Sequence, residues 1–193
     1  MKLLQIDSSA LGTQSATREL TQAIVQRWVD DVADLELARR DLDRQPIPHL
    51  TAAVLGKIDP ADAELGESVM REFLAADVVV IGAPMYNFGV PSTLKAWIDR
   101  IAVAGRTFRY TAQGPEGLVK GKKIIVASAR GSLYGDSHPA DFQEAYLRQL
   151  FGFLGVDDIE FVRAEGLGLS PEHRAAGLRA AHESITPPLA LAA

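Results

Sequence analysis

Apolar residues along the chain fall into short runs separated by longer stretches in which they recur every three or four positions. The runs at residues 3–6, 35–38, 78–82, 124–127 and 159–162 read as strands, the second weaker than the rest. Between the first two, Leu20, Ile24 and Trp28 mark one face of a helix that opens at Ser15 or Thr17 and runs to residue 29. Further helices are predicted over 61–75, from Pro91 through Ile101, over 140–154 and over 171–184. Pro91 sits where a first helical turn tolerates proline, and Leu94, Trp97, Ile98 and Ile101 form the buried stripe behind it. Phe108-Arg109-Tyr110 and Gly117-Leu118-Val119 flank Gln113-Gly114-Pro115, which predicts a small hairpin.

Strands alternating with helices are the signature of βαβ units and a parallel sheet. The fold class is α/β: a doubly wound five-stranded parallel sheet in an α/β/α sandwich, for which the strand order 2-1-3-4-5 suits this number of strands and this length. There is no internal repeat, low-complexity tract or linker, so residues 1–193 read as a single domain.

Composition then narrows the function. Apolar residues make up 47% and charged residues 23%, as in ordinary globular domains, and the net charge of −5 argues against a general nucleic-acid binder. No apolar run approaches the ~20 residues that cross a bilayer. The start Met1-Lys2-Leu3-Leu4-Gln5-Ile6-Asp7 does not read as a signal peptide, so a cytoplasmic location is expected. With no cysteine, thiol chemistry and thiolate metal sites are excluded, and redox chemistry would need a bound cofactor. His49, His138, His173 and His182 lack metal-ligand spacing, so no metal is expected.

Three loops at the carboxyl ends of strands carry the candidate chemistry, which is where open α/β sheets bind ligands. Ala83-Pro84-Met85-Tyr86-Asn87-Phe88-Gly89-Val90-Pro91 presents sulfur, aromatic faces and an amide, suited to a flat heteroaromatic ring. Asp7 to Thr17 is rich in hydroxyls and runs into a helix N-terminus, which can hold a phosphate without Lys or Arg. It is neither a dinucleotide fingerprint nor a P-loop, and a mononucleotide phosphate fits it better. Ala127 to Gly135 adds a glycine that permits close approach of a ligand. Taken singly, each has a plainer reading as a helix cap or an ordinary strand-to-helix turn. Gly135-Asp136-Ser137-His138 is similar to the Gly-Asp-Ser start of some lipase-like hydrolases, but it follows the fourth strand rather than the first. No G-x-S-x-G elbow is present either, so ester hydrolysis is set aside.

Residues 84–100, Pro-Met-Tyr-Asn-Phe-Gly-Val-Pro-Ser-Thr-Leu-Lys-Ala-Trp-Ile-Asp-Arg, resemble the FMN-dependent NAD(P)H azoreductase and quinone reductase family of the flavodoxin-like superfamily. Phe108-Arg109-Tyr110-Thr111 and Gly114-Pro115-Glu116-Gly117-Leu118 add to the resemblance, which covers nearly the whole chain. It implies a homodimer with one FMN per subunit, reduced by NADH or NADPH and reoxidised by quinones or azo aromatics that take turns over the same site. It also implies that Ser9, Ser15, Ala16 and Thr17 hold the FMN phosphate, and that Pro84, Met85, Tyr86, Asn87 and Phe88 line the ribityl chain and ring. Ala129, Arg130, Gly131 and Ser132 would contact the pyrimidine end. No side chain need act as acid, base or nucleophile, since the flavin carries the chemistry. Phe108, Tyr110 and Tyr134 are candidates for sandwiching an aromatic substrate, with core or dimer packing as the other reading. Two positions depart from the family pattern. Thr17 stands where Ser is usual, and Ser132 stands where a second Gly is common, so a left-handed backbone there would be harder. The competing function is a flavodoxin-like carrier of single electrons.

Overall fold

The computed structural model describes residues 1–135 and 138–188. Its elements are β1 (Lys2–Asp7), α1 (Ala16–Asp31), β2 (Glu36–Asp41), α2 (Ala52–Leu55), α3 (Pro60–Ala75), β3 (Val78–Pro84) and α4 (Ser92–Ile101). They continue as β4 (Phe108–Thr111), β5 (Gly114–Gly117), β6 (Lys123–Ala129), α5 (Phe142–Leu154), β7 (Asp158–Ala164) and α6 (Pro171–Glu183). Five strands form one parallel sheet in the order β2-β1-β3-β6-β7, which is 2-1-3-4-5 when only its own strands are counted. The strand order agrees with the sequence reading.

The period-two alternation of the strands divides the core between two faces. Leu3, Val78, Val80, Ile125, Ala127 and Val162 face α1 and α6, where Leu20, Ile24, Val25, Trp28 and Ala181 cover them. Leu4, Ile6, Val79, Ile81, Ile124 and Val126 face α3, α4 and α5 and meet Phe73, Trp97, Ile98, Leu147 and Phe151. Central strand β3 is buried along its whole length, which is why its sequence is continuously apolar.

Local differences from expectation have physical causes. β2 reaches Asp41 rather than Ala38, because an edge strand with one solvated side accommodates Arg39 and Arg40. Pro91 is the N-cap of α4, not its first helical residue. The hairpin's second strand is Gly114–Gly117, not 117–119: Thr111 pairs with Gly114 and Phe108 with Gly117, so the turn falls on Ala112-Gln113. The single turn α2, capped by the Thr51 hydroxyl, is too short for apolar periodicity to reveal.

One ion pair ties α4 to α3. Buried Arg100 donates to both carboxylate oxygens of Asp62 at 2.9 and 2.7 Å and to the Pro48 carbonyl at 3.0 Å. These bonds hold the Asp62 carboxyl below the usual carboxylate range. A depressed folded pKa contributes stability that is present above the unfolded value and is lost as pH falls through the folded one. Asp62→Asn should therefore cost on the order of 2 kcal/mol at neutral pH, with the deficit shrinking below about pH 4. Urea titrations of both proteins at pH 7 and pH 3 measure this; a deficit independent of pH would refute it.

Candidate functional site

The loops after β1, β3 and β6 meet in one cleft at the carboxyl end of the sheet, lined by Ser9, Ala16, Thr17, Pro84, Met85, Tyr86, Ala129, Arg130 and Gly131. A fourth loop, after β7, contributes Leu167 and Gly168, and α6 contributes Arg174. Backbone bonds lace these loops together. The Met85 amide donates to the Ala129 carbonyl, Leu167 to Arg130 and Gly168 to Gly131, all within 3.0 Å.

At one end stands the amino terminus of α1. The Ser15 hydroxyl accepts from the Arg18 amide at 3.2 Å and lies 3.1 Å from the Thr17 hydroxyl. The Ser15 amide donates to the Gly12 carbonyl, which leaves Ala16 and Thr17 as the first-turn amides with no intrahelical acceptor. The Ser9 hydroxyl accepts from the Leu11 amide at 3.3 Å and lies 3.4 Å from the Tyr86 hydroxyl, which in turn accepts from the Ala10 amide at 3.2 Å. Two unpartnered amides, the hydroxyls of Ser9, Ser15 and Thr17 and the positive end of a 16-residue helix are a donor set that fits a phosphate.

Beneath this cradle the Asp7 carboxyl is pushed above the usual range by burial, although Thr21 and Gln5 donate to it at 2.8 and 2.9 Å. Asp41 is held below that range, chiefly by its bond to Arg18.

The middle of the cleft has a wall of Pro84, Met85 and Tyr86. Tyr86 and Gly89 exchange both backbone bonds at 3.0 Å around Asn87 and Phe88, whose φ values are +49° and +69°. A bulky aromatic residue in the left-handed region is a genuine outlier, and such strain concentrates at functional loops. The turn carries Asn87 and Phe88 beyond the cleft wall, with Phe88 52% exposed. On the opposite side, a Cβ built at Gly131 would meet nothing within 4 Å, so the space beside it is open to a ligand. An apolar and aromatic wall, an open glycine edge and a phosphate cradle at the end together fit FMN.

Several predicted residues sit differently. Arg130 faces the cleft only through its backbone: its guanidinium is buried and bound to Asp141 at 2.7 Å, to Glu165 at 3.1 Å and to Glu144. Ser132 is not among the residues with positive φ, so the backbone it was expected to resist is not required. Tyr134 stacks over Arg130, with the guanidinium carbon 5.4 Å from the ring centroid.

Phe108 and Tyr110 do not join the cleft of their own chain. The hairpin follows the carboxyl end of α4 and docks on the carboxyl end of α5, at the end of the sheet opposite the loops. There Phe108 packs against Phe153 at 4.5 Å between centroids, while Tyr110 is 75% exposed. Asp136 and Ser137 lie outside the described residues.

Sequence reasoning missed Leu11, Gln14, Leu167, Gly168 and Arg174. The signal was available for two of them. Glu165-Gly166-Leu167-Gly168 is a glycine-containing segment after the fifth strand of the sheet, and loops at that end share one crevice.

The model of the flavodoxin-like-fold family matches residues 1–186. An FMN-dependent NADH:quinone oxidoreductase of Xanthomonas axonopodis pv. citri is 64% identical over 181 residues, covering 94% of this chain and 93% of the relative. One from Rhizobium meliloti is 52% identical over 96% of this chain and 95% of its own. Among solved structures, an azoreductase of Bacillus anthracis superposes with a TM-score of 0.82 at 28% identity, over 95% of this chain and 97% of that one.

Proposed function

The chain belongs to the FMN-dependent NADH:quinone oxidoreductase family of the flavodoxin-like fold, and from that premise we propose that it reduces quinones by two electrons with NADH, using FMN held in the four-loop cleft. The observation that carries the reading is the convergence of the loops after β1, β3 and β6 on a cleft that ends at an unsatisfied helix N-terminus. When bound, FMN supplies the redox chemistry, accepting a hydride and returning two electrons.

The chain's own residues bind and orient. Ser9, Ser15, Ala16 and Thr17 would hold the phosphate; Pro84, Met85, Tyr86, Asn87 and Phe88 would line the ribityl chain and ring; and the backbone at Ala129, Gly131 and Ser132 would contact the pyrimidine end. Arg130 supports that edge from behind. Preorganised amides at such an edge favour negative charge that develops there.

Aromatic azo compounds are acceptors alongside quinones, and NADPH can replace NADH. The protein works as a homodimer: Phe108 and Tyr110, at the far end of the sheet from their own cleft, reach a substrate only in the cleft of a second copy, while Tyr134 serves its own. The site is cytoplasmic, in keeping with the absence, among the described residues, of any helix long and apolar enough to cross a membrane. A single-electron carrier is not favoured, since the relatives are named as oxidoreductases of quinones.

The purified protein should be yellow, bleach when NADH is added without oxygen, and regain its colour with a benzoquinone. A protein that stays colourless after incubation with FMN would refute the proposal.

A further inference from the structure

The loop between the Ser9 and Ser15 hydroxyls is exposed from Ala10 to Gln14 and contains only a short 3-10 turn at Gly12–Gln14. Two arginines from different helices grip its ends. Arg18 of α1 donates from Nη2 to the Ser9 carbonyl at 3.0 Å. Arg174 of α6 donates from Nη2 to the Gln14 carbonyl at 3.3 Å. We propose that Arg18 and Arg174 are positioning residues that bracket this loop and fix the shape in which it receives the FMN phosphate. The proposal rests on the FMN reading above.

In a trans peptide the carbonyl of one residue and the amide of the next point in opposite directions. Holding the Ser9 carbonyl therefore aims the Ala10 amide, which donates to the Tyr86 hydroxyl at 3.2 Å and so joins the phosphate loop to the ring-binding loop. Holding the Gln14 carbonyl likewise aims the Ser15 amide, which donates to the Gly12 carbonyl at 3.3 Å and leads the chain into α1. The two fixed peptide planes carry Ser9 and Ser15, the hydroxyls at either end of the cradle. An exposed loop without such anchors would lose conformational entropy when the phosphate orders it, and affinity would fall accordingly.

Arg18 is itself held rigidly. Its Nη1 and Nη2 meet the two oxygens of Asp41 at 2.6 and 2.9 Å, and Nη2 lies 3.7 Å from Asp43. Asp41 also accepts from the Asp43 and Arg44 amides, so the end of β2 forms a fixed seat. With two carboxylates beside it, the charge of Arg18 is already balanced; its fork, not its charge, acts on the loop. A lysine cannot span Asp41 and the Ser9 carbonyl in this way.

The test compares FMN with riboflavin, which has the same ring and no phosphate, by quenching of flavin fluorescence on the full chain freed of flavin. In Arg18→Gln the FMN Kd should rise about tenfold or more while the riboflavin Kd stays within about twofold. Arg174→Gln, at the half-buried edge of the cleft, should show the same pattern at about threefold, and it keeps the test open if Arg18→Gln does not fold. Arg18→Lys should be as weak for FMN as Arg18→Gln. Restoration by lysine would overturn the bracket in favour of simple charge. Equal loss of both flavins, or loss of neither, would overturn it as well. A wild-type chain that binds neither flavin would instead remove the FMN reading on which the bracket depends.

Discussion

An Arg130→Met variant is expected to lose about 3–5 kcal/mol of stability and to be isolated with little FMN. The Arg130 side chain is fully screened from solvent, and it holds three carboxylates on two separate segments, the start of α5 and the end of β7. Asp141 is the N-cap of α5 and accepts from the Gln143 and Glu144 amides at 3.1 and 3.0 Å. Glu144 lies in the first turn of α5 and is shared with Arg163 at 2.6 and 2.8 Å. Glu165 follows β7 and accepts the Gly135 amide at 3.0 Å, closing the far end of the third loop. Methionine fills similar length without replacing any of these bonds, so carboxylates would be left buried or would pull the segments apart to reach water.

The expected loss of FMN follows from where this network sits. Ala129 and Gly131 flank Arg130 on one cleft wall, and Leu167 donates its amide to the Arg130 carbonyl at 3.0 Å. Loosening the guanidinium loosens this wall and the Leu167 segment bonded to it at once. Urea titration gives the stability, and the flavin-to-protein absorbance ratio gives the occupancy. A cost below about 1 kcal/mol with full occupancy would show that the network is solvated and holds nothing in place.

What the sequence revealed divides along the range of the interactions. The strands and long helices rest on periodicity, which neighbours in the chain create, so residues such as Val78 to Ile81 or Leu94, Trp97 and Ile98 disclose their element directly. The order of the sheet followed from the alternation of those elements. The cleft was legible as three loops because each has its own local chemistry.

The roles within the cleft were less legible, because they depend on partners distant in sequence. Arg130 beside Gly131 reads as a ligand contact, but Glu165, 35 residues on, draws its side chain inward. Arg174 looks like a surface residue of α6, yet it reaches Gln14 across 160 residues of chain. Phe108 and Tyr110 carry the right ring chemistry, but the direction of α4 delivers them to the opposite end of the sheet. No local pattern encodes any of these three outcomes.

Gly117→Ala is the second variant with a large expected effect, and it bears on the hairpin. A Cβ at Gly117 would lie 2.2 Å from the Gly155 nitrogen, 2.4 Å from the Leu154 carbonyl carbon and 2.5 Å from the Gly155 Cα. All three are backbone atoms, so no side-chain rotation relieves the overlap. Gly155 is itself the left-handed C-cap of α5 at φ +101°, and its amide and that of Val156 are tied back to Gly152 and Phe151. The Val119 amide is bonded to the Leu154 carbonyl at 2.9 Å on the adjoining segment. The hairpin must therefore lift from α5, which separates Phe108 from Phe153 at a cost of about 3 kcal/mol or more. The phosphate cradle and the ring wall lie at the other end of the sheet and keep their contacts. If the hairpin serves the cleft of a second copy, Gly117→Ala should raise the KM for quinone severalfold and weaken the dimer in sedimentation, while FMN content per chain stays at the wild-type level. Parallel loss of FMN would mean that damage spreads through the sheet, and an unchanged KM would remove Phe108 and Tyr110 from the substrate site.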